Sequence, residues 1–151
     1  MTQKLEASQQ QIYETDYLKW IETTARKLRD RDYSNIDWEN LIEEMEDMGR
    51  SERRSLKSNL IIVLTGLLKW QYQPEYRGGS WKGSTATHWR RIREALKNSP
   101  SLKPYLKEVF AECYLDAVEQ ASAETELSAE TFLQSSPYTS VEVLDSNFLP
   151  E

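Results

Sequence analysis

The sequence predicts an all-α fold, a compact single-domain helical bundle of about five main helices with short helical turns at the C-terminal end. Apolar residues recur every three or four positions along most of the 151-residue chain, which is the spacing of one buried helix face. No alternating apolar and polar run bounded by turn signals appears, so no strand is expected. Residues 1–11 lack a hydrophobic period, so we expect a flexible N-terminal arm, followed by one helical domain over residues 12–151.

The first two predicted helices are amphipathic. The first covers residues 13–30, with Thr15 or Asp16 as its cap. The second is capped by Asp37, and Gly49 lies where a C-cap or a bend is expected. The faces expected to be buried are Tyr13, Tyr17, Trp20, Ile21, Ala25 and Leu28 on the first helix and Trp38, Leu41, Ile42, Met45 and Met48 on the second.

The third helix carries the most apolar segment of the chain, LIIVLTGLL at residues 60–68, and we expect it to be the most buried element. This segment is shorter than the roughly 20 residues that a membrane span needs. Pro74 ends the helix because proline has no backbone N–H to donate. Residues 73–83 are expected to form a loop, and a shorter fourth helix follows it. The buried residues expected on that helix are Trp89, Ile92 and Leu96.

The fifth helix has the clearest apolar stripe and is expected over residues 101–123. Cys113 lies on this stripe, which is the setting of an inert buried thiol. As the single cysteine it has no partner for an internal disulfide, which agrees with a reducing cytoplasm. Short helical signals follow at Ser128 and Thr139, and Thr139 and Glu142 have the spacing of a capping box.

Charge is distributed unevenly along the chain. Residues 69–97 carry seven basic and two acidic residues, whereas residues 98–151 carry two basic and ten acidic residues. We expect these two segments to attract each other, within the fold or between subunits. The net charge of −6 argues against general affinity for DNA or anionic lipid. No apolar stretch with a cleavage site opens the chain, so we expect a cytoplasmic protein without a membrane partner.

Aromatic residues stand among the cations of the basic segment, and we define residues 69–93 as the aromatic–basic island. Aromatic platforms beside cations can hold single-stranded nucleic acid, yet the same composition describes a helix end whose rings fill the core. Trp81 lies in the expected loop, so we interpret it as an exposed contact residue or as a plug that closes the loop over the bundle. The predicted binding residues are Lys69, Tyr76, Arg77, Trp81, Lys82, Arg90 and Arg91.

Two other groups of side chains raise the question of catalysis. Glu43 and Glu46 resemble a metal-binding face, but a di-iron bundle needs Glu-x-x-His pairs and the chain has one histidine. We expect these carboxylates to lie opposite the buried stripe, in solvent, with the nearby Arg50 as a partner. His88 lies where a general base could stand, but no partner for it is recognisable in the sequence. We therefore predict no catalytic residue, no metal site and no cofactor.

Segments along nearly the whole chain, from Tyr13 to Glu151, resemble a known bacterial family. They are YETDYLKWIE, IDWENLIEEMEDMGRSERR, LLKWQYQPEYRGGSW, SPSLKPYLKE and SPYTSVEVLDSNFLPE, in that order. The family is catalogued as domain of unknown function 29 and is abundant in cyanobacteria. The resemblance implies a compact helical bundle in the bacterial cytoplasm and brings no agreed activity or cofactor. Family members usually read HLLKW, whereas Gly66 stands before LLKW here, so any chemical role of that histidine is lost.

Three functions follow from these observations. The favoured one is a non-enzymatic protein-interaction or regulatory module that uses the aromatic–basic island, with a protein partner or a second copy of the chain. The alternative is a nucleic-acid-binding protein that uses the same island. A metal-dependent hydrolase or nuclease built on Glu43 or Glu46 is the least favoured, because those side chains are expected to point away from the core.

Overall fold

The structure, a computed structural model, describes the backbone of residues 2–151 and the side chains of residues 9–151. Six α-helices and three 3-10 turns follow one another, and this described part contains no strand. The all-α prediction is therefore confirmed. The helices are α1 (Thr2–Thr15), α2 (Tyr17–Arg29), α3 (Trp38–Tyr72), α4 (Gly79–Asn98), α5 (Leu102–Thr125) and α6 (Ser140–Leu144), and the 3-10 turns are Tyr33–Asn35, Pro74–Tyr76 and Ala129–Thr131.

The chain divides into two compact units, the first ending at Arg50 and the second running from Ser51 to Glu151. We call them the N-terminal unit and the C-terminal unit. The boundary between them falls within α3. One domain over residues 12–151 stays a prediction beside this division. Across the residues that the structure describes, no helix is long and apolar enough to cross a membrane.

α1 occupies the segment in which we expected a flexible arm, and from residue 2 onward the backbone there is helical. The Gln9 side chain donates to the backbone carbonyl of Asn35, and the Gln10 side-chain oxygen accepts from the Asn40 amide at 2.8 Å. Both contacts involve the second half of this helix, and the flexibility of residues 1–11 stays a prediction.

α2 and the first turns of α3 complete the N-terminal unit. Asp16 accepts from the backbone N–H of Lys19 and caps α2, and Asp37 caps α3 by accepting from the N–H of Asn40 at 3.3 Å. Both predicted caps are confirmed. The Trp20 indole donates to Asp37 at 3.3 Å, which ties the two helices together.

The faces expected to be buried on these two helices are largely exposed, so that prediction was wrong. In the N-terminal unit, as far as it is described, Trp20 and Ile36 are the buried apolar side chains. Glu44 is partly buried and accepts hydrogen bonds from Tyr13 and Tyr17, so a carboxylate occupies the inward side of α3. The exposed members of the expected faces are Tyr17, Ile21, Ala25, Leu28, Trp38, Ile42, Met45 and Met48.

α3 continues through Gly49, where we expected a C-cap or a bend. Glycine costs about 1 kcal/mol relative to alanine inside a helix, which is too little to end a long one. Arg50 forms ion pairs with Glu43 at 2.9 Å, with Glu46 at 3.7 Å and with Asp47, and these pairs link the turns on either side of the glycine. The second and third predicted helices are therefore one element.

The C-terminal unit contains the hydrophobic core of the fold. The apolar stripes of the second half of α3, of α4 and of α5 meet there, as predicted. α6 adds Val143, whose side chain is buried and whose carbonyl accepts from the indole of Trp89. The predicted capping box of Thr139 and Glu142 is present at the start of α6. The most completely buried apolar residues of α3 are Leu60, Val63, Leu64, Leu67 and Leu68.

Candidate functional site

α4 begins much earlier than its apolar stripe indicates. The segment expected to be a loop, residues 73–83, instead contains a 3-10 turn and the first turn of α4, which starts at Gly79. Gly78 is the N-cap residue, in an extended conformation and without a side-chain cap. Trp81 therefore lies on a helix rather than in a loop, and its position is set by what it contacts.

Trp81 packs against α3 at the position of Gly66. Its indole N–H donates to the Gly66 carbonyl at 2.7 Å, and its ring is half-buried against Trp70 with the ring centroids 4.6 Å apart. A Cβ atom on Gly66 would lie 3.0 Å from Oγ1 of Thr85 and 3.4 Å from Nε1 of Trp81. A side chain at Gly66 would therefore press on Thr85, and one extending beyond Cβ would meet the indole of Trp81.

A groove of about 920 Å³ opens beside this tryptophan pair, and we call it the α3–α5 groove. Its floor is the exposed side of α3, one wall is the start of α4 with the preceding 3-10 turn, and the other wall is the C-terminal end of α5. Apolar, aromatic and charged side chains all reach it. They include Ile62, Lys69, Trp70, Tyr76, Arg77, Trp81, Glu124 and Glu126.

Two cations are held on the Trp70 ring at one edge of the groove. The guanidinium carbon of Arg77 lies 4.8 Å from the ring centroid, and its Nε donates to the Trp70 backbone carbonyl at 2.8 Å. Nζ of Lys82 lies 5.6 Å from the same centroid. An exposed cation–π contact contributes about 0.5–1 kcal/mol, enough to favour one position for each charge. The edge thus presents two oriented positive groups to solvent.

The opposite wall is acidic. Glu124 pairs with Lys69 across the groove at 3.5 Å, so the basic segment and the acidic segment do attract each other at this point. Glu126 follows as the C-cap of α5, in a left-handed conformation with φ 62°. The C-terminal end of a helix carries partial negative charge, which adds to that of the carboxylates. The charged side chains that line the groove are thus Lys69 and Arg77 against Glu124 and Glu126.

The predicted binding residues do not all meet in one place. Lys69, Tyr76, Arg77 and Trp81 line the α3–α5 groove, and Lys82 stands beside it on the Trp70 ring. Arg90 and Arg91 are exposed further along α4 and do not line the groove. Arg90 follows Trp81 by nine residues, which is two and a half turns and turns it to the other side of the helix. Glu124 and Glu126 were not predicted, and the acidity of the C-terminal segment was their only signal.

The carboxylates considered for metal binding lie in solvent. The side chains of Glu43 and Glu46 are 57% and 58% exposed, and both pair with Arg50 as expected. Within the residues described by the structure, no group of three or more His, Cys, Asp or Glu side chains could hold a metal ion.

His88 and Cys113 both lie in the C-terminal unit. Nδ1 of His88 donates to the Asn59 side-chain oxygen at 2.7 Å, since the Asn59 amide nitrogen donates to the Ser55 carbonyl. Burial and then the charge of Arg91 lower the pKa of His88. Cys113 is fully buried, and burial raises the pKa of its thiol to about 11, which confirms the expected inert setting.

These helices and the groove between them define a small all-α protein with an aromatic-walled surface cleft. A model of the family described as domain of unknown function DUF29 matches residues 12–149, so the chain belongs to that family. This confirms the relationship that the sequence segments indicated. A comparison with curated proteins and with solved structures gave no match. Gly66, which precedes the LLKW segment, is the residue against which Trp81 packs.

Proposed function

We propose that this protein is a non-enzymatic interaction module that binds a segment of a partner protein in the α3–α5 groove. The observation that carries the proposal is the edge of the groove, where Arg77 and Lys82 are both held on the ring of Trp70. Cations fixed in this way lose little side-chain freedom when a ligand binds, which lowers the cost of binding. Aromatic residues and arginine are also the residues enriched at protein interfaces.

The shape of the groove favours a chain segment over a small molecule. Pockets for small ligands surround most of the ligand surface and are lined mainly by apolar side chains. In this groove Arg77 and Glu126 are exposed, and the side chain of Tyr76 is 71% exposed. An open cleft of about 920 Å³ has room for several consecutive side chains of a partner.

The charges of the groove favour a protein over a nucleic acid. Affinity for nucleic acid depends on cations that neutralise consecutive phosphates. Here Glu124 and Glu126 face Lys69 and Arg77, so a phosphate backbone laid along the groove meets carboxylates on one wall. A peptide accommodates both signs of charge. We infer a segment that directs a carboxylate toward Arg77 and an apolar side chain toward Ile62, which is 41% exposed on the floor.

A peptide selection tests this proposal, because it requires no identified partner. The probe is a phage-displayed library of random twelve-residue peptides, and the selected peptides are then measured by titration calorimetry. We expect peptides with an acidic residue near an apolar one, and binding at least about tenfold weaker in Arg77→Ala, since a charged hydrogen bond contributes about 1.5–3 kcal/mol. Arg91→Ala is the matched control, because Arg91 is an exposed arginine of the same unit outside the groove.

Labelled single-stranded oligonucleotides at two salt concentrations complete the test. No binding at low salt agrees with the proposal. Binding that weakens as salt rises, and that is lost in Arg77→Ala, would replace the protein partner by a nucleic acid. Peptides that bind Arg77→Ala and the unaltered chain equally well would also overturn the proposal, because the groove would then not be the binding surface.

A further inference from the structure

The N-terminal unit exposes an unusual amount of apolar surface. On α2, Leu18, Ile21 and Leu28 are 64%, 39% and 36% exposed. On α3, the exposed fractions are 46% for Trp38, 53% for Ile42, and 63% for both Met45 and Met48. Monomeric proteins rarely expose contiguous apolar patches larger than a few hundred Å². These residues indicate an interface if they form one continuous surface.

α2 and the start of α3 form an antiparallel hairpin. Tyr17, at the start of α2, donates to Glu44 in the second turn of α3, whereas Trp20 donates to Asp37 at the beginning of α3. Only residues 30–37 connect the two helices. This length lies within the roughly 2–8 residues that usually connect neighbouring helices of a bundle.

The exposed apolar residues of both helices lie on the same side of this hairpin. On α2 they lie about 60° to 140° beyond the inward residues Trp20 and Thr24, counted along the helical rotation of 100° per residue. On α3 they are displaced by a similar angle, in the same rotational sense, from the inward Glu44. Because the two helices run in opposite directions, an equal rotation about each axis brings both stripes to one side of the pair.

α1 lies on the opposite side of the hairpin. Its Gln10 contacts Asn40 and its Tyr13 contacts Trp20, with ring centroids 4.9 Å apart. Asn40 is displaced from the inward Glu44 in the rotational sense opposite to that of Ile42. α1 therefore covers one side of the hairpin and leaves the other uncovered. The uncovered hairpin face consists of Leu18, Ile21 and Leu28 of α2 and Trp38, Ile42, Met45 and Met48 of α3.

We propose that the hairpin face binds the same face of a second copy of this chain, forming a four-helix bundle at the centre of a homodimer. The exposed fractions of the residues on this face amount to roughly 800 Å² of accessible surface. A dimer that covers the whole face therefore reaches the size of a standard stable interface, roughly 800 Å² from each partner. Two helical hairpins packed face to face give the up-and-down arrangement of four-helix bundles. The two-fold symmetry needs no surface other than this face.

Charge along the edges of the face selects how the two copies pair. At 100° per residue, the outer edge of α2 carries Arg26 and Arg29 with one acid, Glu22. The outer edge of α3 carries Glu39, Glu43 and Glu46 with one cation, Arg50, which pairs with Glu43 and Glu46, so this edge keeps an excess of acid. A two-fold axis parallel to the helices places α2 of each copy over α3 of the other, so a basic edge meets an acidic edge. An axis perpendicular to the helices places like charges together, which is unfavourable.

The mass of the full chain in solution, measured by light scattering after size-exclusion chromatography, tests the dimer. We expect twice the chain mass of 17.7 kDa for the unaltered protein at micromolar concentration. Ile42→Glu should weaken the dimer at least about tenfold, since a charge buried at an interface is costly. The matched control is Leu115→Glu on α5, because Leu115 is 57% exposed in the C-terminal unit and Ile42 is 53% exposed. This control should remain dimeric.

Far-UV circular dichroism separates loss of the dimer from loss of the fold. Ile42→Glu should keep its helix content, because Ile42 is 53% exposed within one chain and the new charge can remain in solvent there. A protein that is monomeric at all concentrations would overturn the proposal and leave the face to a different protein. Ile42→Glu that stays as dimeric as Leu115→Glu would overturn it as well.

Cross-linking tests the pairing of α2 with α3. Leu18→Cys and Met45→Cys are made on separate chains, mixed, and treated with a short bifunctional maleimide. Cys113 is fully buried and stays silent. The mixture should give more linked dimer than either variant alone. Linkage of Leu18→Cys to itself in excess of the mixed product would overturn this arrangement, because it requires α2 to face α2.

Discussion

The helices of both units carry apolar stripes, but the two units differ in whether those stripes are buried. In the C-terminal unit the apolar stripes face one another, and residues such as Leu64 and Ile92 are fully buried. In the N-terminal unit polar groups share the inward positions with Trp20. Tyr13 and Tyr17 both donate to Glu44, and the pKa of Tyr13 is raised to about 12, chiefly by that hydrogen bond.

This difference shows what a helical period in the sequence does and does not indicate. A period of three to four residues shows which side chains share a face of a helix. It does not show whether the same chain covers that face. A stripe without a covering element within its own chain is an interface candidate, whereas a stripe that meets others is a core. Matched substitutions in the two units therefore test whether the apolar residues of each unit are covered within one chain.

The largest expected difference separates two leucines on the two faces. Leu64 is fully buried in the C-terminal unit, and Leu18 is 64% exposed on the hairpin face. Leu64→Ala should lower the free energy of unfolding by about 2–5 kcal/mol, because it removes buried contacts and leaves a cavity. Leu18→Ala, measured at protein concentrations at which the chain is monomeric, should change it by less than about 0.5 kcal/mol.

Urea unfolding followed by circular dichroism measures both variants. Similar losses in the free energy of unfolding for the two leucines in the monomeric chain would contradict this difference between the units, because Leu18 would then be covered by its own chain. If Leu18→Ala lowers the free energy of unfolding only at concentrations favouring the dimer, the contact of Leu18 belongs to a second copy of the chain.

Leucine substitutions at two glycines of α3 are expected to change stability by smaller amounts and in opposite directions. A Cβ at Gly66 would lie 3.0 Å from Thr85 Oγ1 and 3.4 Å from the Trp81 ring nitrogen, whereas a Cβ at Gly49 would meet no atom within 4 Å. Gly66→Leu should destabilise the C-terminal unit by about 1–3 kcal/mol, the usual cost of overpacking. Gly49→Leu should stabilise α3 by about 0.5–1 kcal/mol, since leucine is a better helix former than glycine.

Adding Trp81→Ala to the Gly66→Leu chain tests the cause of that loss. The double variant should be more stable than the sum of the two separate losses allows, because removing the indole makes room for the leucine. Tryptophan fluorescence of the single Gly66→Leu variant should shift to longer wavelength as Trp81 is displaced into solvent. Additive losses with unchanged fluorescence would show that Trp81 does not depend on the glycine.

The elements readable from the sequence are those that bury the core. α5 and the second half of α3 follow their apolar stripes closely, and the Thr139–Glu142 capping box is a local contact that spacing alone specifies. The helical backbone of α1 was not readable, because its residues show no apolar period and its described contacts, Gln9 to Asn35 and Asn40 to Gln10, join residues far apart in the sequence. Continuity through Gly49 was not readable either, because a glycine costs only about 1 kcal/mol inside a helix and its presence does not decide whether the helix ends there.

The residue composition of the candidate site could be predicted from the sequence, but the groove could not. The aromatic and basic residues around Trp70 stand close together in the sequence, so their cluster could be predicted. The acidic wall at Glu124 comes from a distant helix and depends on the tertiary fold. Trp81 illustrates the same limit, because its contact with Gly66 joins two helices and no local signal in the sequence indicates it.

The smallest expected effect concerns His88, a polar group packed within the C-terminal unit. The pKa of His88 lies below its ordinary value of 6.5, mainly because of burial and secondly because of the positive charge of Arg91. The unfolded chain then binds a proton at a higher pH than the folded chain does. Stability should therefore fall as the pH drops through 6.5, and the loss should level off below the pKa of the folded state.

Because the chain contains one histidine, NMR titration of its ring protons gives this pKa without ambiguity. We expect a midpoint below 6.5, which rises toward that value in Arg91→Gln. His88→Gln keeps an amide donor for Asn59 and should remove the dependence of stability on pH in this range. A midpoint above 6.5 would mean that the folded protein favours the imidazolium, in which case the Asn59 contact stabilises the charged ring and the sign of the pH effect reverses.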